Sequence, residues 1–265
     1  MGMIVIVVGD SLGCPRSWVG VDLASTYSFQ LNRLLGPDAF VANYSVGDNS
    51  TDRAVKEPFL RTFVRNSSAS YAIIQLGIVD CAPRLLSPVE RAIGLVASRV
   101  PGLRALFDQY IKVKSRYRYQ LTRVFPKTLV PIDRFESNYR RLVLEILESN
   151  PVEKVFAINI AYPGEILRKK SYNILANIQK YNAGIARLAA AFPGRLEVVD
   201  LFAQCAHKPD WVTQDDGHHI HKPAHDWIAA EIAHRINVGL CAEIIPMFRV
   251  GAAESTDNAK VPSEA

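Results

Sequence analysis

Five short apolar runs recur along the chain, and each is bounded by polar or turn-forming residues. Their length and their content of β-branched residues are typical of strands buried on both faces of a parallel sheet. The predicted strands cover residues 4–8, 39–46, 71–78, 154–160 and 196–201.

The segments between these runs place apolar side chains at helical spacing. In residues 25–35, apolar side chains recur on one helical face, and Gly36 and Pro37 then end the helix. Alternation of strands with helices predicts an α/β fold, a three-layer α/β/α sandwich with a mainly parallel sheet of about five strands. The strand order stays open. The further predicted helices cover residues 135–148, 171–191 and 227–238.

Residues 84–130 interrupt this alternation, because the segment is mainly helical in pattern and strongly basic. It contains ten Lys and Arg residues against Glu90 and Asp108, a net charge of +8, whereas the whole chain carries +5. We expect one domain over residues 1–250 with a basic helical insertion at about 84–130. Residues 251–265 are small and polar, which predicts a disordered tail.

Composition narrows the class of protein. No stretch reaches the eighteen or so uninterrupted apolar residues of a membrane span, and the first strand begins too early for a signal peptide with a basic front region. We therefore expect a cytoplasmic protein. Cys14, Cys81, Cys205 and Cys241 are scattered without metal spacing, so reduced thiols serving as small apolar residues are expected.

The first candidate for chemistry is Ser11, in the sequence Gly9-Asp10-Ser11-Leu12 directly after the first strand. Ligands bind at the carboxyl edge of open α/β sheets, so the strand delivers Ser11 to a place where a nucleophile is useful. The alternative is that Asp-Ser here is ordinary turn chemistry.

The second candidate lies near the other end, where residues 215–221 read Asp-Asp-Gly-His-His-Ile-His. A serine hydroxyl needs an imidazole to take its proton, and the imidazole needs a carboxylate to fix its tautomer. An aspartate three residues before a histidine supplies both from one loop. Two registers fit, Asp216 with His219 and Asp215 with His218. The histidine cluster, which extends to His221 and His225, also allows a metal site, but no other Cys or His has complementary spacing.

Together these motifs resemble the SGNH (GDSL) hydrolase family over roughly residues 4–238, including a segment like the family's second block at residues 43–47. The resemblance implies the flavodoxin-like fold of that family. It makes Ser11 the nucleophile, His219 the general base and Asp216 the carboxylate that orients it, because Gly217 follows Asp216 as glycine does in the family. His221 and His225 are then loop or cap residues.

The family's oxyanion hole uses three donors, namely the serine amide, a glycine amide of the second block and an asparagine side chain of the third block. The third block here is Gly77-Ile78-Val79-Asp80, so valine, which has no donor, stands in the asparagine's place. Loss of one such donor typically costs about 10²–10³ in rate. We expect the remaining oxyanion donors among the backbone of Ser11 and the residues Gly47, Asp48 and Asn49. Substrate contacts are expected from Asp10, Leu12, Val79, Asp80 and Arg84.

Three functions remain open. The first is a serine esterase or deacylase that removes a small acyl group from a carbohydrate or related polar substrate, and we expect this group to be acetyl. The second is an O-acyltransferase with the same triad, and the third is a non-catalytic carbohydrate-binding or assembly protein, which Val79 favours. We expect no cofactor, although a transferase could take a coenzyme A-linked donor. The basic insertion could attract an anionic polymer or membrane surface, whereas no nucleic-acid motif is recognisable.

Overall fold

A computed structural model describes residues 2–236, which contain a five-stranded, wholly parallel sheet. The strands are β1 (Met3–Gly9), β2 (Ala39–Asn43), β3 (Tyr71–Gln75), β4 (Lys154–Ile158) and β5 (Leu196–Val199). Across the sheet they lie in the order β2-β1-β3-β4-β5. All five predicted strands are confirmed.

The helices surround this sheet. They are α1 (Tyr27–Leu35), α2 (Thr51–Ala54), α3 (Glu57–Phe59), α4 (Ile78–Cys81), α5 (Pro88–Ala97), α6 (Pro101–Arg116), α7 (Arg118–Val124), α8 (Ile132–Ser149), α9 (Glu165–Lys170), α10 (Ile174–Ala191), α11 (Leu201–His207) and α12 (Lys222–Ile236).

Two helix pairs form the outer layers. Helix α1 packs against α12, and α8 packs against α10. Strand β2 lies on one side of β1, and the later strands β3, β4 and β5 are added on its other side. Because crossovers between parallel strands are right-handed, this change of direction puts the two helix pairs on opposite faces of the sheet. The centre of the sheet is therefore covered on both sides, and Val5 to Val8 have no exposed surface. The three-layer α/β/α sandwich is confirmed.

Four predicted strands extend too far at their carboxyl ends. The apolar pattern continues through Ile78 and Leu201, and both side chains are indeed buried. Each, however, already belongs to the helix that follows its strand, α4 and α11 respectively. Burial alone therefore does not mark where a strand ends. The first turns of α4 and α11 lie at the carboxyl edge of the sheet.

The boundaries of the first and last predicted helices also change. Helix α1 begins at Tyr27, because Leu23–Ser25 form a separate 3₁₀ turn capped by the Asp22 side chain. Helix α12 begins at Lys222, five residues before the prediction, and its predicted end at residue 238 lies outside the described residues.

The basic insertion is helical as predicted and consists of α5, α6 and α7. Its two ends are joined by a bridge between Pro83 and Thr128 and by a 3.0 Å hydrogen bond from the Arg84 amide to the Lys127 carbonyl. Helix α6 contributes no buried residue to the core. The insertion is thus closed at its base, next to the carboxyl edge of the sheet.

Some expectations concern residues beyond this structure. The predicted tail at 251–265 and Cys241 lie outside the described residues. Cys14, Cys81 and Cys205 are free thiols, as expected, and the last two are buried. Among the described helices, none combines the length and the apolarity needed to cross a membrane.

Candidate active site

Ser11 lies at the carboxyl end of β1, on the first residue of a short 3₁₀ turn. A side chain at Gly9 would collide with the Ser45 hydroxyl, so a larger residue at the end of the strand would force Ser45 to move. The Asp10 carboxylate accepts a 2.9 Å hydrogen bond from the Leu12 amide and caps the turn. These contacts fix the backbone that carries the Ser11 hydroxyl.

The second part of the site is the loop between α11 and α12. An antiparallel bridge joins Val212 to Ile220, and the Thr213 amide donates a 2.8 Å hydrogen bond to the His219 carbonyl. Gly217 makes the turn within this loop at a φ of +74°, and an added Cβ there would come within 2.8 Å of the Leu167 amide. The loop is therefore a closed unit that packs closely against α9.

Ser11, His219 and Asp216 form a continuous hydrogen-bonded chain. The Ser11 Oγ lies 3.0 Å from the His219 Nε2, across 208 residues of sequence. On the other side of the ring, the His219 Nδ1 lies 2.5 Å from the Asp216 Oδ2. Because the carboxylate accepts at Nδ1, that nitrogen carries the ring proton and leaves Nε2 as an acceptor for the serine hydroxyl. The structure brings together the Asp216/His219 register of the two that the sequence allows.

The Asp216 carboxylate is held as an anion. Its Oδ1 accepts hydrogen bonds from the Thr213 hydroxyl at 2.7 Å and from the amides of His218 and His219 at 2.9 and 3.1 Å. Burial raises the pKa of this carboxyl, but the hydrogen bonds from His219 and from these amides outweigh it and hold the pKa well below the ordinary range. Asp216 is thus charged at neutral pH.

The competing register does not reach Ser11. The His218 Nδ1 lies 3.2 Å from the Asp216 Oδ1, and burial together with the neighbouring His219 lowers the pKa of His218 to about 4. His218 is therefore neutral at physiological pH. Asp215 is exposed at the rim of the cavity described below.

The two other histidines of this region make structural contacts. The buried His225 accepts a 3.2 Å hydrogen bond from the Tyr27 amide, which ties α12 to α1, and burial lowers its pKa to about 3. His221 contacts the Val19 carbonyl at 3.3 Å. Neither is hydrogen-bonded to the Ser11, His219 and Asp216 chain.

A metal site was the other chemistry that the histidine cluster allowed. One ligand atom each from Asp216, His218 and His219 lie within 4.8 Å of one another, close enough for a shared ion. Both ring nitrogens of His219, however, already face Ser11 and Asp216. A metal bound there would replace the hydrogen bonds that make up the site.

Ser11 opens into a cavity of about 340 Å³, near the lower limit for small-molecule sites. Val79 lies in its wall with 8% of its surface exposed, so the residue that the motif resemblance aligns with the family's asparagine presents an apolar side chain there. The lining residues are Ser11, Asp48, Ile78, Val79, Ala82, Arg84, Arg118, Leu167, Lys170, Asp215, Asp216 and His218.

Only some of the expected oxyanion donors lie at the cavity. Within residues 2–236, the backbone N–H groups of Ser11 and Asp48 donate no hydrogen bond, and both residues line the cavity. Gly47 is exposed and does not line it. The Asn49 side chain is buried and donates to the Gly9 carbonyl at 3.0 Å, while the backbone N–H of Asn49 donates to the Val46 carbonyl. Asn49 therefore holds the turn in place and is not among the residues that line the cavity.

Three of the expected substrate contacts lie away from the cavity. Asp10 and Leu12 are buried behind the Ser11 turn, and burial raises the pKa of Asp10 to about 7. Asp80 has no exposed surface, and its carboxylate accepts hydrogen bonds from the amide and hydroxyl of Thr51. The two carboxyl groups therefore accept hydrogen bonds from within the fold, and Leu12 packs in the hydrophobic core. Val79 and Arg84 do line the cavity.

The sequence did not indicate Thr213, Arg118 or Lys170 as site residues. Arg118 lies among ten basic residues of the insertion, and no local pattern distinguishes it. Helix α9, which carries Lys170, was not predicted at all. Their positions depend on tertiary packing between distant segments.

Comparison with known proteins relates this geometry to solved structures. No protein-family model and no curated protein matches the sequence. A lipase/acylhydrolase from Enterococcus faecalis is 15% identical, with a TM-score of 0.61 over 89% of this chain and 96% of that chain. An acetylxylan esterase from Geobacillus stearothermophilus, solved as a catalytic mutant, is also 15% identical, with a TM-score of 0.55 over 90% and 96%.

A third structure is a member of the lipolytic G-D-S-L family from Veillonella parvula, which is 10% identical with a TM-score of 0.55 over 88% of this chain and 97% of that chain. These likenesses extend over almost the whole of each chain, so they concern the complete sandwich and not one motif. At such low identity they establish architecture. The chain has the fold of the SGNH (GDSL) hydrolases, and its serine, aspartate and histidine motifs resemble those of that family.

Proposed function

We propose that the chain is an ester hydrolase that forms an acyl-enzyme on Ser11. The observation that carries this proposal is the continuous chain from the Ser11 hydroxyl through His219 to Asp216 at the wall of a cavity. A neutral imidazole with a free Nε2 lone pair, oriented by a charged carboxylate, is what a serine needs in order to act as a nucleophile.

In this mechanism the Ser11 Oγ attacks the acyl carbon while its proton passes to the His219 Nε2. The carbonyl oxygen becomes an oxyanion, for which the backbone N–H groups of Ser11 and Asp48 are the candidate donors, because both residues line the cavity and neither N–H donates within residues 2–236. His219 then protonates the leaving alkoxide as the carbon–oxygen bond breaks, which leaves an acylated serine. Water then attacks this ester while His219 takes its proton. As the bond from the acyl carbon to the Ser11 Oγ breaks, His219 returns the proton to Oγ, which releases the acid and restores the Ser11 hydroxyl.

The size and lining of the cavity support an acetyl ester of a carbohydrate or similar alcohol as the substrate. Ile78, Val79 and Leu167 offer a small apolar surface, which suits an acetyl group better than a long acyl chain. The remaining wall is polar and charged, which suits a carbohydrate or similar alcohol. Similar structures include an acetyl xylan esterase and a member of a carbohydrate acetylesterase family, which supports the same choice.

The test is labelling with a fluorophosphonate probe, followed by intact-mass measurement and peptide mapping. We expect one adduct at Ser11 in the wild type and none in Ser11→Ala or His219→Ala. Ser17→Ala is the matched control, because Ser17 is an exposed serine in the next turn of the chain. Folded wild-type protein that takes no label would contradict the proposal.

A hydrolysis assay then determines the acyl group and the acceptor. 4-Nitrophenyl acetate should be cleaved faster than the octanoate. Turnover that appears only when a sugar is added as acceptor would instead indicate the O-acyltransferase, which would use the same Ser11, His219 and Asp216.

A second candidate function is a non-catalytic binding protein, which the Val79 side chain favours because it leaves the oxyanion position without a side-chain donor. This alternative requires carbohydrate binding that persists in Ser11→Ala together with no turnover by the wild type.

A further inference from the structure

Three cationic side chains lie in the wall of the cavity that contains Ser11. Arg84 lies just after α4, Arg118 begins α7 and Lys170 ends α9. Among residues 2–236, none of the three has a carboxylate within 4.0 Å, whereas the neighbouring Lys169 pairs with Glu165. Three cations thus converge on one cavity without a bonded counter-ion in the described part of the chain.

Both guanidinium groups are anchored by neutral acceptors. Arg84 donates through Nη2 to the Val79 carbonyl at 2.6 Å, and its buried Nε has no partner among the described residues. Arg118 donates through Nε to the Ser171 hydroxyl at 3.0 Å, and Ser171 is itself 1% exposed. A guanidinium has five N–H donors, so each anchor fixes the group and leaves further donors for another acceptor.

Burial disfavours the charge of both arginines, and the charge of Arg84 adds to this effect at Arg118. Burial lowers the pKa of Arg84, and burial followed by the nearby charge of Arg84 lowers that of Arg118. Two like charges held together in a partly dry wall are unfavourable without an anion between them. An anionic ligand group would relieve both the repulsion and the lost hydration.

Three carboxylates line the same cavity and have to be set against these cations. Asp216 is engaged by His219. Asp48 and Asp215 are exposed, so water screens their charge more than that of the half-buried arginines. Asp48 offsets part of the charge of Arg84. Arg118 therefore carries the least compensated charge of the cavity wall, and Lys170 adds an exposed cation to the same wall.

The insertion holds Arg118 in this position by direct contacts with the segment after α9. The Tyr172 amide donates a 3.0 Å hydrogen bond to the Thr122 hydroxyl, and the rings of Tyr119 and Tyr172 pack edge to face. Helix α7 is thereby docked against the loop that carries Ser171, to which Arg118 is bonded. The basic insertion thus supplies a fixed part of the cavity wall.

We propose that Arg84, Arg118 and Lys170 form a subsite for an anionic group, carboxylate or phosphate, on the ester substrate. This inference rests on the proposed ester hydrolysis and narrows its substrate class to acyl esters of anionic alcohols or sugars. Arginine forks match both anions, because each presents two oxygens to paired N–H donors.

The test uses three acetyl esters that differ only at the far end of the molecule: 1-acetylglycerol, 3-acetylglycerate and 1-acetylglycerol 3-phosphate. We expect the wild-type kcat/KM for one anionic ester to exceed that for the neutral ester at least tenfold. The preferred ester identifies the anion. Arg118→Gln should reduce this preference at least tenfold, whereas Arg123→Gln, an exposed arginine on the same helix, should change it less than twofold.

Two further measurements test the subsite if Arg118→Gln does not fold or if the wild type does not turn over these esters. Lys170→Gln changes an exposed side chain and should lower the preference severalfold even if Arg118→Gln does not fold. Calorimetry with glycerate, glycerol 3-phosphate and glycerol measures binding without turnover, and Arg118→Gln should weaken binding of the preferred anion at least fivefold.

The outcomes separate the two proposals. Hydrolysis with no preference for either anionic ester, or equal effects of Arg118→Gln and Arg123→Gln, would overturn the subsite and leave the hydrolase in place. Anion binding that depends on Arg118, without Ser11 labelling or turnover of any ester, would support the subsite and refute the hydrolase. Absence of both anion binding and anion preference would overturn the subsite.

Discussion

The Thr213 hydroxyl donates a 2.7 Å hydrogen bond to the Asp216 Oδ1, whereas the His219 ring contacts the other oxygen, Oδ2. Thr213 is 2% exposed, and its own amide bonds the His219 carbonyl. One residue therefore fixes both the carboxylate and the backbone of the histidine that it orients. Thr213 is a positioning residue of the site.

Thr213→Val should lower kcat about tenfold, because it removes one donor to a charged acceptor while preserving side-chain shape. Thr213→Ser, which keeps the hydroxyl, should restore most of the rate. The measurement is kcat and KM for 4-nitrophenyl acetate, with thermal unfolding followed in parallel. If the role of Thr213 were only structural, Thr213→Val would lower stability and leave the kcat of the folded protein unchanged.

The two histidines of the Asp216 loop should differ sharply on substitution. His219→Ala should lower kcat/KM by about 10³-fold or more, since the serine loses its general base. His218→Ala should cost less than tenfold, because His218 contacts Asp216 and not Ser11. The reverse order of effects would show that the other register is the working one.

The fold could be predicted because its central strands are buried on both faces, which leaves continuous apolar runs such as Val5 to Val8. Strand ends were wrong for the same reason. Ile78 and Leu201 are as buried as strand residues, yet hydrogen bonding puts them in helices. The strand order was not readable, since it depends on pairing between distant segments.

Some residues of the candidate site could likewise be predicted from the sequence, and others could not. Ser11, Asp216 and His219 could be predicted because short local motifs carry them. Arg118 could not, because its role depends on how α7 packs against the segment around Ser171. Contacts between segments fifty or more residues apart leave no periodic or local signal in one sequence.

Val79 allows a direct test of the oxyanion hole. Val79→Asn should raise the rate of acetyl ester hydrolysis by an order of magnitude or more if the carboxamide can donate to the oxyanion. The measurement is kcat/KM for 4-nitrophenyl acetate, with Val79→Thr as a control for added polarity near the cavity. An unchanged or lower rate in Val79→Asn would indicate that the cavity wall serves another purpose, such as the anionic substrate proposed above.

Asp10 should make the stability of the protein depend on pH. Burial, opposed by the hydrogen bond from Leu12 and reinforced by Asp80, raises the pKa of Asp10 from 3.8 to about 7. The stability associated with protonated Asp10 is fully present below about pH 4. It is lost as pH rises toward 7, because the unfolded chain ionises there while the folded chain still holds the proton.

Asp10→Asn removes this titration and keeps an oxygen that can accept from the Leu12 amide. The free energy of unfolding of Asp10→Asn, relative to wild type, should therefore increase by roughly 2–4 kcal/mol between pH 4.5 and pH 8. Urea unfolding at several pH values measures it, with Asp38→Asn, at an exposed position, as the control. A difference that stays constant across this range would show that Asp10 is already ionised in the folded protein. The buried carboxylate would then be stabilised by contacts stronger than its single hydrogen bond from Leu12.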